Sequence, residues 1–163
     1  MYTEDSIDSL NELSYGRGYV YLLRYHVVWC TKYRREVITG TVYTDMLDYI
    51  QKSAEQIGVT LEEVELMPDH VHLLIKTDPQ VYIPNMIKIL KGNTARWSFM
   101  SHPEIKEKLW GGHLWNPSYF IATVSDRNTE QIREYIRNQK KNERLLHGAH
   151  IIQSKDIGLQ SYL

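Results

Sequence analysis

The sequence predicts an α+β domain: an antiparallel sheet with helices packed against it, ferredoxin-like in order, with one helix added at the C-terminus. Three observations predict it. Residues 19–30 (YVYLLRYHVVWC) are aromatic and β-branched, the composition of a central strand. Helical spacing of apolar residues recurs at 42–57, 83–100 and 129–143. Two alternating segments, 60–67 and 70–76, flank Pro68-Asp69 and so form a hairpin between the first two helices.

The elements follow in order. Residues 1–17 lack periodicity, carry Glu4, Asp5, Asp8 and Glu12, and read as a flexible acidic leader. After the first strand, 32–40 is a basic loop. Val42, Met46, Tyr49, Ile50, Ala54 and Ile57 fall on one helical face, and Gly58 is a natural stop. Leu61, Val64 and Leu66 alternate on the second strand, and His70 and His72 open the third. Pro79 and Pro84 bracket the entry to the next helix, whose buried stripe is Ile83, Met86, Ile87, Leu90 and Trp97. Residues 109–117 (LWGGHLWNP) form a Gly- and Trp-rich loop, 118–124 a fourth strand and 129–143 the last helix, with Asp126 or Asn128 as its N-cap. The domain is expected to span 18–144, with 145–163 a tail.

Composition narrows the class. The chain has 163 residues, 42% hydrophobic and 24% charged, ordinary values for one globular domain. No apolar run approaches the ~20 residues needed to span a bilayer, and the acidic N-terminus is not a secretory signal. Cys30 is the only cysteine, so no internal disulfide forms and a cytoplasmic location is expected. Net charge is −1, but residues 13–163 together carry +3. Basic residues gather at Lys32, Arg34 and Arg35, at Lys88, Lys91 and Arg96, and along 133–144, interleaved with Tyr33, Trp97 and Tyr135. Such mixtures suit phosphates and stacked bases, yet each cluster also reads as a solvated helix face. Charge alone leaves the partner open.

Chemistry enters with four residues. His70 and His72, two apart on a strand, project from one face. Tyr135 and Gln139, four apart on a helix, share another. Alone, a His-x-His pair is a weak signal, since most such pairs are partly buried or surface histidines with satisfied hydrogen bonds. Here Val71 and Leu73 make the opposite face apolar, and Asp69 and Asp78 stand ready to orient an imidazole. Ile132, Tyr135, Ile136 and Gln139 form one stripe, and its two polar members need partners if buried. Brought together, the histidines can hold a divalent metal, and the helix can add a phenol nucleophile and a neutral oxygen ligand.

These residues stand in a longer pattern: Gly18-Tyr19-Val20-Tyr21, then Tyr25-His26-Val27-Val28-Trp29-Cys30-Thr31-Lys32-Tyr33-Arg34, then Met67-Pro68-Asp69-His70-Val71-His72-Leu73-Leu74. It continues through Leu90-Lys91-Gly92, Lys108-Leu109-Trp110-Gly111-Gly112, Leu114-Trp115-Asn116-Pro117-Ser118-Tyr119 and Ile132-x-x-Tyr135-Ile136-x-x-Gln139. In this the chain resembles the HUH single-tyrosine transposases of bacterial and archaeal single-strand insertion sequences, over about residues 16–143. The resemblance implies an HUH-type fold with a catalytic C-terminal helix. It implies His70, His72 and Gln139 as ligands of Mg²⁺ or Mn²⁺, and Tyr135 as the nucleophile forming a 5′-phosphotyrosine link. It further implies a homodimer whose sites each join the histidines of one chain to the tyrosine helix of the other. The expected partner is single-stranded DNA folded into hairpins at the element's ends. Lys32, Tyr33, Arg34, Arg35, Lys88, Lys91 and Arg96 are the candidates for touching it.

Three other readings fit part of the pattern. A domesticated relative would process chromosomal palindromes by the same chemistry. A ferredoxin-like module would bind single-stranded nucleic acid with structural histidines. A metal-dependent hydrolase would use the histidines without the tyrosine and leave no adduct.

Overall fold

The computed structural model describes residues 13–124 and Asn138. Tyr135, Gln139 and the helix expected at 129–143 therefore lie outside the described residues, as do 1–12 and the tail. The chain opens with a small hairpin, β1 (Ser14–Gly16) against β2 (Tyr19–Tyr21). The ordered sheet thus begins inside the expected leader. A Cβ at Gly16 would lie 2.3 Å from the Tyr19 ring, so a side chain there would displace that ring. The long strand expected at 19–30 is two strands: β2 belongs to the hairpin, and β3 (Leu23–Cys30) to the main sheet.

Next come α1 (Gly40–Gln56), β4 (Thr60–Leu66), β5 (His70–Thr77), α2 (Ile83–Ser101) and β6 (Phe120–Thr123). The main sheet is antiparallel, ordered β4-β5-β3-β6. That is the ferredoxin-like order, with each helix joining strands that are not neighbours. Gly58, at φ +69°, ends α1 in the left-handed conformation a side chain would resist. Among the described residues, no helix is long and apolar enough to cross a membrane.

Period-two alternation sorts the sheet into two faces. Val27 and Trp29 of β3 and Val71, Leu73 and Ile75 of β5 pack with Met46, Ile50 and Ala54 of α1 and Ile87 and Leu90 of α2 in one core. Each fully buried aliphatic side chain there contributes about 1.5–3 kcal/mol. The other face carries His26, Val28, His72 and Leu74, all buried too. The α2 stripe departs from expectation in its second half, where Thr94 and Ser98 are buried and Trp97 instead leans on Tyr49, ring centroids 5.7 Å apart.

Candidate functional site

The site starts at the turn that launches β5. Met67 donates its N–H to the His70 carbonyl, closing the hairpin. The loop after β3 then clasps the turn from outside: the backbone N–H of Thr31 donates to the Asp69 carbonyl at 2.8 Å, and that of Ile38 to Pro68 at 3.0 Å. Thr31, fully buried, adds its hydroxyl, which donates to the carbonyls of Arg35 at 2.7 Å and Asp69 at 3.2 Å. Register places His70 beside Cys30, and His72 between Val28 and Glu65. The two imidazoles are neighbours, centroids 5.1 Å apart and nearly perpendicular.

Each imidazole has its Nδ1 engaged. His70 Nδ1 meets Asp69 Oδ1 at 2.5 Å, and the other carboxylate oxygen accepts from Arg34 Nε at 2.9 Å. Burial pushes the Asp69 carboxyl up, but His70 and Arg34 outweigh it and hold the group below its usual range. His72 Nδ1 lies 3.2 Å from Nε2 of His26, whose ring stacks on it at 5.4 Å. Burial lowers His72 to about 3, helped by His70 and His26, and lowers His26 to about 4. Both are therefore neutral at ordinary pH, the form in which imidazole ligates.

The residues present fit a divalent cation. A ligating imidazole commonly donates its other N–H to a carboxylate or comparable acceptor, and both histidines are placed to do so through Nδ1. Among the described residues no group of three His, Cys, Asp or Glu could hold an ion, so no third side chain of these types there joins the two histidines. Burial raises the Cys30 thiol pKa above its ordinary value.

The basic candidates divide. Lys32 to Arg35 follow β3 directly, beside the histidine end of β5, with Tyr33 60% exposed and the Lys32 ammonium 5.0 Å from its ring. Tyr33 and Arg34 are in the left-handed region, φ +56° and +53°. Lys88 and Arg96 are exposed on α2, in the helix layer, whereas the histidines project from the other face. Lys91 is occupied otherwise: its ammonium donates to the carbonyls of Asn116, Pro117 and Ser118. Burial lowers its pKa to about 8.

The Trp-rich loop is thereby fixed against the site. Asn116 donates its N–H to the Cys30 carbonyl, Lys32 to that of Leu114, and the Trp115 indole to the Thr94 hydroxyl at 3.0 Å. Sequence reasoning missed His26, although alternation along β3 puts it on the same face as Val28 and Cys30. The missing information was register, which pairs it with Leu74 and so brings it diagonally against His72, 46 positions away.

With this geometry in place, the comparisons with known proteins are direct. The model of the IS200-like transposase family matches residues 19–139. The ISDra2 transposase TnpA of Deinococcus radiodurans is 50% identical over 132 residues, covering 81% of this chain and 94% of that protein. The transposase for insertion sequence element IS200 of Salmonella typhimurium is 27% identical over 122 residues, 75% of this chain and 80% of its own. A crystal structure of a Deinococcus radiodurans R1 protein superposes with TM-score 0.66 at 48% identity, covering 77% of this chain and 97% of that one. A REP-associated tyrosine transposase bound to a REP hairpin shares the fold alone, with TM-score 0.58 at 14% identity, over 80% and 73% of the two chains. A match across the whole sheet and both helices, at half identity to one transposase, places this chain in the IS200-like transposase family.

Proposed function

We propose that this transposase cleaves and rejoins single-stranded DNA at the ends of an insertion sequence, through a covalent tyrosine intermediate. The observation that carries the reading is the paired His70 and His72, adjacent and each with Nδ1 engaged, at the head of β5. His70 and His72 would hold Mg²⁺ or Mn²⁺ with Gln139 as third ligand, and the ion would polarise the scissile phosphate and stabilise the leaving oxygen.

The remaining steps belong to the chain. Tyr135 Oη attacks phosphorus and gives up its proton; the Oη–P bond forms as the P–O3′ bond breaks, and the 3′ oxygen leaves as a hydroxyl. The 5′-phosphotyrosine keeps the bond energy, so a 3′-hydroxyl can later attack and rejoin DNA without a nucleotide cofactor. Lys32 to Arg35 stand beside the histidines, where a phosphate backbone would pass. The REP-hairpin complex of a structural neighbour supports hairpin DNA as the form recognised. We assign the catalytic unit to residues 18–144.

The test is a denaturing gel of the protein with labelled single-stranded DNA carrying the element's end hairpin, with Mg²⁺ or Mn²⁺. Wild type is expected to give a metal-dependent band that survives denaturation, and Tyr135→Phe to bind DNA without forming it. Cleavage with no adduct in wild type would point instead to a hydrolase, and binding with neither to a binding module.

A further inference from the structure

We infer that Arg34 is a positioning residue for this site: acting through Asp69, it fixes the Nδ1 proton of His70 and so presents Nε2 as the ligating atom. The inference rests on the metal reading above and changes the task of a residue that its charge alone would assign to DNA phosphate.

Three observations converge. Asp69 is divided between two partners, one oxygen on His70 Nδ1 and the other on Arg34 Nε, so the arginine sets the plane in which the carboxylate meets the imidazole. A carboxylate held only by its own backbone could rotate about its side-chain torsions; one held by a second donor cannot follow the ring freely.

The second observation is backbone conformation. Tyr33 and Arg34 both have positive φ, +56° and +53°. Such a pair is strained for side chains of this size and persists only where the surroundings over-determine it. Here they do. Arg34 N–H donates to the Thr31 carbonyl at 3.0 Å, Thr31 hydroxyl to that of Arg35 at 2.7 Å, and Lys32 N–H to Leu114 at 2.7 Å. Third, the same Thr31 is bonded through its backbone N–H to Asp69. One short loop therefore ties down both ends of the Arg34–Asp69 pair.

Arg34→Ala tests this, since its half-exposed side chain (53%) is not part of the core and alanine keeps the same backbone demand. In metal-free, ¹⁵N-labelled protein at pH 8, long-range ring correlations should show His70 protonated on Nδ1 in wild type and a mixture of tautomers in Arg34→Ala. Mn²⁺ affinity, read from the EPR signal of free ion without DNA, should fall about tenfold or more in Arg34→Ala and in Asp69→Asn. The double variant should be no weaker than Asp69→Asn, and Arg34→Lys should recover part of the loss.

An unchanged His70 tautomer and Mn²⁺ affinity in Arg34→Ala would overturn the inference. A drop of about one in the slope of log hairpin affinity against log salt, found in their place, would make Arg34 a phosphate contact. Should wild type take up no Mn²⁺, the metal reading fails separately, and the tautomer in metal-free protein still decides what Arg34 does.

Discussion

His26 and His72 stack in a buried part of the sheet, and this gives the molecule a defined response to acid. Both are buried, with pKa values lowered to about 4 and about 3 from the usual 6.5. The unfolded chain takes up these two protons as pH falls below about 6.5, whereas the native state resists them until near 4 and 3. Unfolding thus becomes easier across that window, by up to about 1.4 kcal/mol per pH unit for each histidine, and stability is full above it. In chelator-treated protein, the urea midpoint is expected to drop steadily from pH 6.5 to 4.5, and His26→Phe should remove roughly half of that slope. A midpoint flat over this range would refute the account. The same variant leaves His72 Nδ1 without its ring partner, so Mn²⁺ affinity should weaken about tenfold. At this scale the sequence was legible only in part. His70 and His72 on one strand could be read from alternation and Asp69 from its place in the turn before them, whereas partners such as His26 and Arg34 depend on strand pairing and on a strained loop, neither of which periodicity encodes.

The elements divide by how they earn their shape. α1, α2 and the β4–β5 hairpin were legible because one apolar face dictates each, and the structure places them within a few residues of expectation. The break between β2 and β3 was not: YVYLLRYHVVWC is strand-forming throughout, and pairing with β1 alone decides where the chain changes sheets. Nor was the second half of the α2 stripe legible. Thr94 is buried because its hydroxyl donates to the Leu90 carbonyl at 2.7 Å and receives the Trp115 indole, so a polar residue fits where an apolar one was expected. Lys91 belongs to the same clamp, since its three carbonyl partners all lie in the 116–118 turn. Lys91→Met is therefore expected to destabilise the fold by about 1–2 kcal/mol, a loss of a few degrees in Tm, and to leave the salt slope of hairpin binding unchanged. A slope reduced by about one with Tm intact would return Lys91 to the set of phosphate contacts.

For the whole molecule, the issue is how many chains a working site needs. The sheet supplies two imidazoles, and no further His, Cys, Asp or Glu among the described residues completes a cluster around them. The proposed nucleophile and third ligand, Tyr135 and Gln139, come from later in the sequence, and in a symmetric dimer they can serve either their own chain's histidines or the partner's. Two inactive variants separate these arrangements. One keeps the histidines and carries Tyr135→Phe; the other keeps Tyr135 and carries His70→Ala with His72→Ala. If the sites are composite, unfolding and refolding the two together creates mixed dimers in which one site of each pair unites intact histidines with an intact tyrosine. With random pairing, about a quarter of the wild-type adduct should return. All of it should be on the chain that lacks the histidines, which differing tags resolve on a denaturing gel. If each chain instead served itself, every site in the mixture would lack one half of its chemistry, and no adduct would form at any ratio.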